Sequence, residues 1–245
     1  MEVHAHPHSE RKKWTHYLWE FLMLFLAVFC GFLAENQREH MVEHKREAQF
    51  IRSFANDLRR DIYDLDSLLK KREGRKMQID SMNFILRSPD PDVYAGQLYF
   101  YARYLPRPFI YIPNDATIQQ LKNSGNLRLI QKQAVADTVL AYDHQYHFME
   151  TIRVREDLLI QRIFSFLDQF FDPAVFNEMN VYDVEFIRPQ GHPKLLTKDK
   201  KLIQQFLSEL HYLKTVNLGE IGWFKRRIDR AEKTLAYIEK EYRLK

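Results

Sequence analysis

A chain of 245 residues with only seven Gly and nine Pro, 45% hydrophobic and 14% aromatic, has enough apolar material for a packed core, which excludes a disordered protein. Its net charge of +4 is spread among mixed charges rather than gathered in one block, so the mild basicity suits anionic headgroups as well as nucleic acid, and no nucleic-acid partner is expected. The one cysteine, Cys30, excludes a disulfide framework.

Residues 1–13 read as a disordered polar tail. His4, His6 and His8 alternate there, and without a scaffold they would hold a metal only weakly. Residues 14–34, WTHYLWEFLMLFLAVFCGFLA, read as a transmembrane helix. The fourteen uncharged residues 21–34 alone cover about 21 Å, short of the ~30 Å hydrocarbon core. Extending back to Trp14 makes the stretch long enough to cross. It also brings in Trp14, Tyr17 and Trp19, whose rings suit the headgroup layer, with Arg11, Lys12 and Lys13 just outside. The large apolar residues cover every side of such a helix, as a segment buried in lipid or protein requires. A cleaved signal peptide fits poorly because Phe29 or Phe32 occupies the −3 position, and bulky Phe29 before Cys30 argues against lipidation. A buried helix of a soluble protein is the remaining rival. Glu20 near the start of the span suits a snorkelling carboxylate or a contact in an oligomer, together with Asn36 at the other end. Basic residues flank both ends almost equally; the closer cluster, Arg11 to Lys13, favours a cytoplasmic N-terminus and a C-terminal domain outside.

Residues 35–88 read as a long stalk helix. Ile51, Phe54 or Ala55, Leu58, Ile62, Leu65 and Leu69 recur at steps of three and four, a coiled-coil seam. Lys70, Lys71, Arg72, Arg75 and Lys76 interrupt it around Gly74, and Ile79, Met82 or Asn83, and Leu86 resume it; one long helix is expected, continuous or loosened near Gly74. Pro89 and Pro91 end it. Residues 89–245 read as an antiparallel helical bundle. Tyr94, Tyr99, Tyr101, Tyr104 and Tyr111 make its start strongly aromatic, a candidate ligand or partner surface or simply packing. Asn114 or Asp115 can cap the next helix and Gly125 close it. One long helix is expected over 131–171, a helix capped by Thr197 running to about Val216, a kink near Gly219, and a last helix with a second seam through Ile221, Phe224, Ile228, Ala231, Leu235, Ile238 and Tyr242. The two seams are expected to pair. The fold class is therefore all-α: a transmembrane helix continuing into a stalk and then an antiparallel bundle.

HYLWEFLMLFLAVFCGFLAENQREH followed by FANDLRRDIYDLDSLL resembles the opening of a widespread group of uncharacterised bacterial single-span membrane proteins, a domain family of unknown function. Glu20 and Asn36 fall on that group's acid near the start of the span and on its Asn-containing patch. TIQQLKNSGNLRLI resembles its internal turn, at Ser124, Gly125 and Asn126. The resemblance implies an anchor in a bacterial cytoplasmic membrane with a helical domain, and it carries no activity.

Catalytic motifs are sparse. His40, Glu43 and His44 spell H-x-x-E-H, which places two imidazoles one turn apart on a helix, a weak zinc candidate on a solvated charged stretch. Asp143, His144 and His147 form a second cluster, read as structural. No P-loop, dinucleotide glycine pattern or nucleophile elbow occurs. No catalytic residue and no cofactor are expected. The expected role is a membrane-anchored interaction module whose partners are the lipid bilayer, further copies of the chain or another envelope protein. An oligomeric pore comes second and a zinc hydrolase last.

Overall fold

The computed structural model describes residues 14–144, 147–182 and 185–244. The protein is all-α. Its helices are α1 (Trp14–Leu86), α2 (Ala95–Tyr104), α3 (Ala116–Asn123), α4 (Gln133–Asp143), α5 (His147–Phe170), α6 (Pro173–Glu178) and α7 (Lys200–Tyr242). A two-strand antiparallel pairing of β1 (Asn180–Tyr182) with β2 (Glu185–Phe186) is the β structure among the described residues. The chain forms two compact units, Met1–Gln49 and Phe50–Lys245.

In the first unit every residue from 14 to 42 is exposed, including the whole apolar stretch 14–34. Phe21, Phe25 and Phe29 stack one turn apart, with ring centroids separated by 6.2 and 5.9 Å. This segment of α1 is long and apolar enough to cross a membrane, and none of it is covered by protein.

In the second unit the seam of α1 turns inward: Ile51, Phe54, Ala55, Leu58 and Leu65 are buried, and so are Ile79, Met82, Ile85 and Leu86. Between these two groups the seam does not break. Arg72 and Arg75, each 1% exposed, fill its next positions. The helix also runs on through Gly74, because one helical glycine costs only about 1 kcal/mol against packing on both sides of it. Proline then stops it as expected, and Asp90 caps the single turn Pro91–Tyr94 by accepting from the Asp92 amide.

The last helix departs from expectation at Gly219. Gly219 lies on the exposed side of α7, while Leu213, Asn217, Glu220 and Phe224 on the opposite side are buried, so the helix passes Gly219 without a kink and spans 43 residues. Its cap is Asp199, whose side chain accepts from the Leu202 amide, two residues beyond the predicted Thr197. The helix expected over 131–171 is two helices. The Tyr142 carbonyl, which a continuing helix would offer to its own next turn, accepts instead from Arg227, and α4 ends at Asp143.

Side-chain pairs fix the directions. Arg59 meets Glu239, Glu73 meets Lys225 and Asp80 meets Lys214, so α1 and α7 run antiparallel. Lys132 on Glu241 and Tyr142 under Arg227 do the same for α4 and α7, and Arg162 on Glu209 with Phe170 on Phe206 for α5 and α7. The apolar core falls into two main parts along this bundle. One gathers Ile51, Phe54, Leu58, Val135, Val139, Ala231 and Ile238; the other gathers Ile79, Met82, Leu98, Ile163, Phe170, Phe206 and Leu210. The polar residues described next lie on the same helices between these groups.

Candidate functional site

Residues 105–115 carry three prolines and form no regular structure beyond a turn at their start. Their backbone polar groups must find partners elsewhere, and α1 supplies several, from Asp57, Asp61 and Asp64 beside its seam and from Arg72 and Arg75 on it. Asp61 accepts from the Asn114 amide at 2.8 Å and from its side chain at 3.0 Å, and Asp64 accepts from the same side chain. Asp57 accepts from the Thr117 amide at 3.2 Å, so the open start of α3 is satisfied across the bundle while Asp115 binds its own Gln119. Further along, Arg72 donates to the Phe109 carbonyl at 3.0 Å and Arg75 to the Arg107 carbonyl. Charges that break a hydrophobic pattern in the sequence are thus the groups that hold an extended segment against a helix.

The two guanidiniums are buried and compensated. Arg72 grips Glu156 of α5 through both of its terminal nitrogens, at 2.5 and 2.8 Å, and also pairs with Glu220 of α7. Arg75 donates to the same Glu156 oxygen. Asn217 ties the group to α7 by donating to the Arg72 carbonyl at 2.9 Å. The Nε–H groups of Arg72 and Arg75 have no partner among the described residues. The two carboxyls differ. Burial raises both, but hydrogen bonds and charge from Arg72 and Arg75 hold Glu156 below the usual carboxylate range on balance. Glu220 is different: burial pushes it up to about 7, helped by the neighbouring Glu156 charge and opposed by Arg72. Burial likewise lowers Arg75 to about 10, against the pull of Glu156. A buried pair of this kind adds little net stability over an apolar replacement, but removing one partner is expensive. Its physical effect is to fix the register of α1, α5 and α7 on the segment 107–109.

A second polar group lies near the other end of this belt. The Tyr142 hydroxyl donates to Asp61 at 2.6 Å, and Arg227 covers the Tyr142 ring 3.4 Å from its centroid. Tyr111 packs its ring on Trp223 and faces Asp61 and Arg227, and burial raises its phenol.

Above the buried arginines the surface opens into a cleft of about 540 Å³. Lys71, Gly74 and Gln78 of α1 form one wall; Tyr104, Arg107, Pro108 and Phe109 form the other. The Phe109 ring lies 4.3 Å from the Arg75 guanidinium carbon and 5.3 Å from that of Arg72. Arg107 lies against both Tyr104, at 4.6 Å, and Phe186, at 4.4 Å, two rings that pack edge to face 5.2 Å apart. Arg103 stacks on Phe186 from 4.6 Å and donates to Asn180. A broader groove of about 750 Å³ runs between α5 and α7 over Leu158, Leu159 and Val216, with Arg155 and Arg162 along it.

The five tyrosines that make residues 94–111 aromatic therefore separate. Tyr99 is fully buried, donates to the Lys194 carbonyl at 3.0 Å and accepts from the Asp172 amide at 2.8 Å, so it is a core residue. Tyr111 is also core. Tyr94 is exposed on its short turn, and Tyr101 accepts from Gln97. Only Tyr104 lines the cleft. His40, His44 and Asn36 are exposed, and His44 lies 3.5 Å from Glu47. Glu20 has His16 beside it at 3.2 Å, one turn earlier on α1. Among the described residues no group of three or more His, Cys, Asp or Glu side chains is arranged to hold a metal. Asp143 pairs with Lys122 at 2.8 Å, and His144 is the residue that ends α4. The side chain of His147, and His4, His6 and His8, lie outside the described residues. The residues that sequence reasoning missed are Arg72, Arg75, Glu156 and Glu220. The signal was available: two arginines at seam spacing inside an otherwise apolar repeat.

No family model, curated protein or solved structure matches the chain.

Proposed function

We propose that the protein is a single-pass, membrane-anchored helical interaction module, a sensor or assembly partner that performs no catalysis. The observation that carries the reading is the exposure of the whole apolar stretch 14–34. Ten Leu, Phe and Val residues at roughly 0.3–0.6 kcal/mol each favour insertion by a few kcal/mol, and Glu20 near the end of the span costs less than a central acid. We place the anchor in a bacterial cytoplasmic membrane, with the N-terminus inside and the helical domain outside, in line with the group the N-terminal sequence resembles. Further copies of the chain, meeting through Glu20 and Asn36, or another envelope protein are its partners.

The pore reading has less support. His16 beside Glu20 gives the acid a polar neighbour on its own helix, and the remainder of the span offers no polar stripe. The zinc reading rests on His40 and His44 alone. The test is purification of the full chain in mild detergent, with mass analysis of the particle and identification of what accompanies it. The reading expects a defined oligomer or a stoichiometric partner that depends on Glu20 or on the helical domain. A lone monomer that turns over a substrate would overturn it.

A further inference from the structure

We propose that the cleft over Phe109 is a binding site for a small amphipathic anion, an apolar or aromatic body carrying a carboxylate or phosphate. The inference gives the sensor form of the function above its ligand class, and its physical basis lies wholly within the second unit.

Three observations converge. The first is charge. Among the described residues the lining contains two cations, Lys71 and Arg107, and no acid. The acids nearest Lys71 along α1 are engaged elsewhere, Asp66 by Lys70 and Glu73 by Lys225, at 2.7 and 2.9 Å. Arg72 and Arg75, whose charges are met by Glu156 and Glu220, lie behind the wall against Phe109 and fix its ring. The second is shape. About 540 Å³ falls within the range of small-molecule sites, and Tyr104, Pro108 and Phe109 offer apolar faces beside the two cationic groups. Arg107 rests against the edge-packed pair Tyr104 and Phe186, which restricts its guanidinium before any ligand arrives.

The third is Gly74. It sits within a long helix at ordinary helical geometry, where glycine is unfavourable relative to alanine. No protein atom needs the space, since an added Cβ would meet nothing within 4 Å. What a side chain there would occupy is the cleft itself. Glycine at 74 leaves this part of the cleft free of a side chain.

The chemistry could be supplied by a soluble aromatic acid or by an anionic lipid headgroup. Equilibrium binding to the full chain in nanodiscs of zwitterionic lipid, with phenyl phosphate, benzoate and neutral benzyl alcohol as probes, tests the site. The expected result is saturable binding of at least one anion and none of the alcohol. Lys71→Gln should weaken it about tenfold or more, a loss typical of one charged contact. Gly74→Leu should abolish it while the protein unfolds at the same or a higher temperature. Displacement of the probe when phosphatidylglycerol is added to the nanodisc would identify the headgroup as the source; no displacement would identify a soluble acid. Absence of binding up to about 10 mM, equal binding of the alcohol, or binding that survives Gly74→Leu would overturn the proposal. None of these results depends on where the chain fractionates, so failure of the site and failure of the anchor are separable.

Discussion

Replacing Glu156 by Gln leaves the shape of the buried charge network and removes its one firmly ionised acid. The wild-type carboxylate receives two hydrogen bonds from Arg72 and one from Arg75, all from side chains about 1% exposed. Without it two buried guanidiniums face only Glu220, and such an uncompensated loss costs about 3–5 kcal/mol. In a domain of this size that lowers the unfolding midpoint by roughly 6–20 °C. Glu220→Gln behaves differently because burial has already pushed that carboxyl from 4.5 to about 7. A folded value above the unfolded one means that its stabilising contribution is complete below pH 4.5 and is lost as pH rises through 7. The gap corresponds to about 3 kcal/mol across that window, an order-of-magnitude figure. Glu156 runs the opposite way: its value is lowered, so its contribution is present above 4.5 and is lost as pH falls. Below pH 4.5 the amide introduced by Glu220→Gln imitates a carboxyl that is protonated folded and unfolded, and the change should stay under about 1 kcal/mol. Between pH 4.5 and about 7, where the wild type loses that contribution, the same substitution should flatten the decline. Trp223 packs in the adjacent helical turn, so its fluorescence during chemical denaturation, in a background with Trp14 and Trp19 replaced by Phe, reports on this domain. A Glu156→Gln cost below about 1 kcal/mol, or a pH profile unchanged by Glu220→Gln, would refute the reasoning.

Other outcomes follow from single contacts. Gly74→Ala should stabilise the domain by up to about 1 kcal/mol in the same denaturation assay, because the added methyl meets nothing within 4 Å. Gly125→Ala should destabilise it by about 1–2 kcal/mol, since Gly125 sits at φ 65° just after α3. Tyr142→Phe should cost about 1–3 kcal/mol through the lost hydrogen bond to buried Asp61, and Asp61→Ala more, because two Asn114 donors are stranded as well. Phe25→Arg places a charge inside the span at about +3 kcal/mol, enough to shift the chain measurably from the membrane fraction.

Helical periodicity carried most of the architecture. Ile51, Phe54, Leu58 and Leu65 are buried where the seam put them, and Ala231 and Ile238 face them from the far end of the chain. Reasoning by polarity went astray where charge is buried. Arg72 and Arg75 looked like an interruption because a single sequence does not show that Glu156 and Glu220, 84 and 148 positions away from Arg72, would meet them. The local signal at Gly219 was overread: one glycine weakens a helix by about 1 kcal/mol, too little to break it against burial on the opposite face. The end of α4 was invisible for the converse reason, since its diverted carbonyl is claimed by Arg227, 85 residues later. For the candidate site, the aromatic stretch pointed to the right part of the chain. Tyr104 alone reached the cleft, because the buried hydrogen bonds of Tyr99 and the ring packing of Tyr111 made those two structural.

The central claim is that residues 14–34 are solvated by lipid. Alkaline washing of membranes from cells producing the full chain, followed by detergent extraction, tests it most directly. The account predicts that the protein stays with the washed membranes and is released only by detergent. Recovery in the alkaline supernatant, as a folded protein stable without detergent, would contradict it.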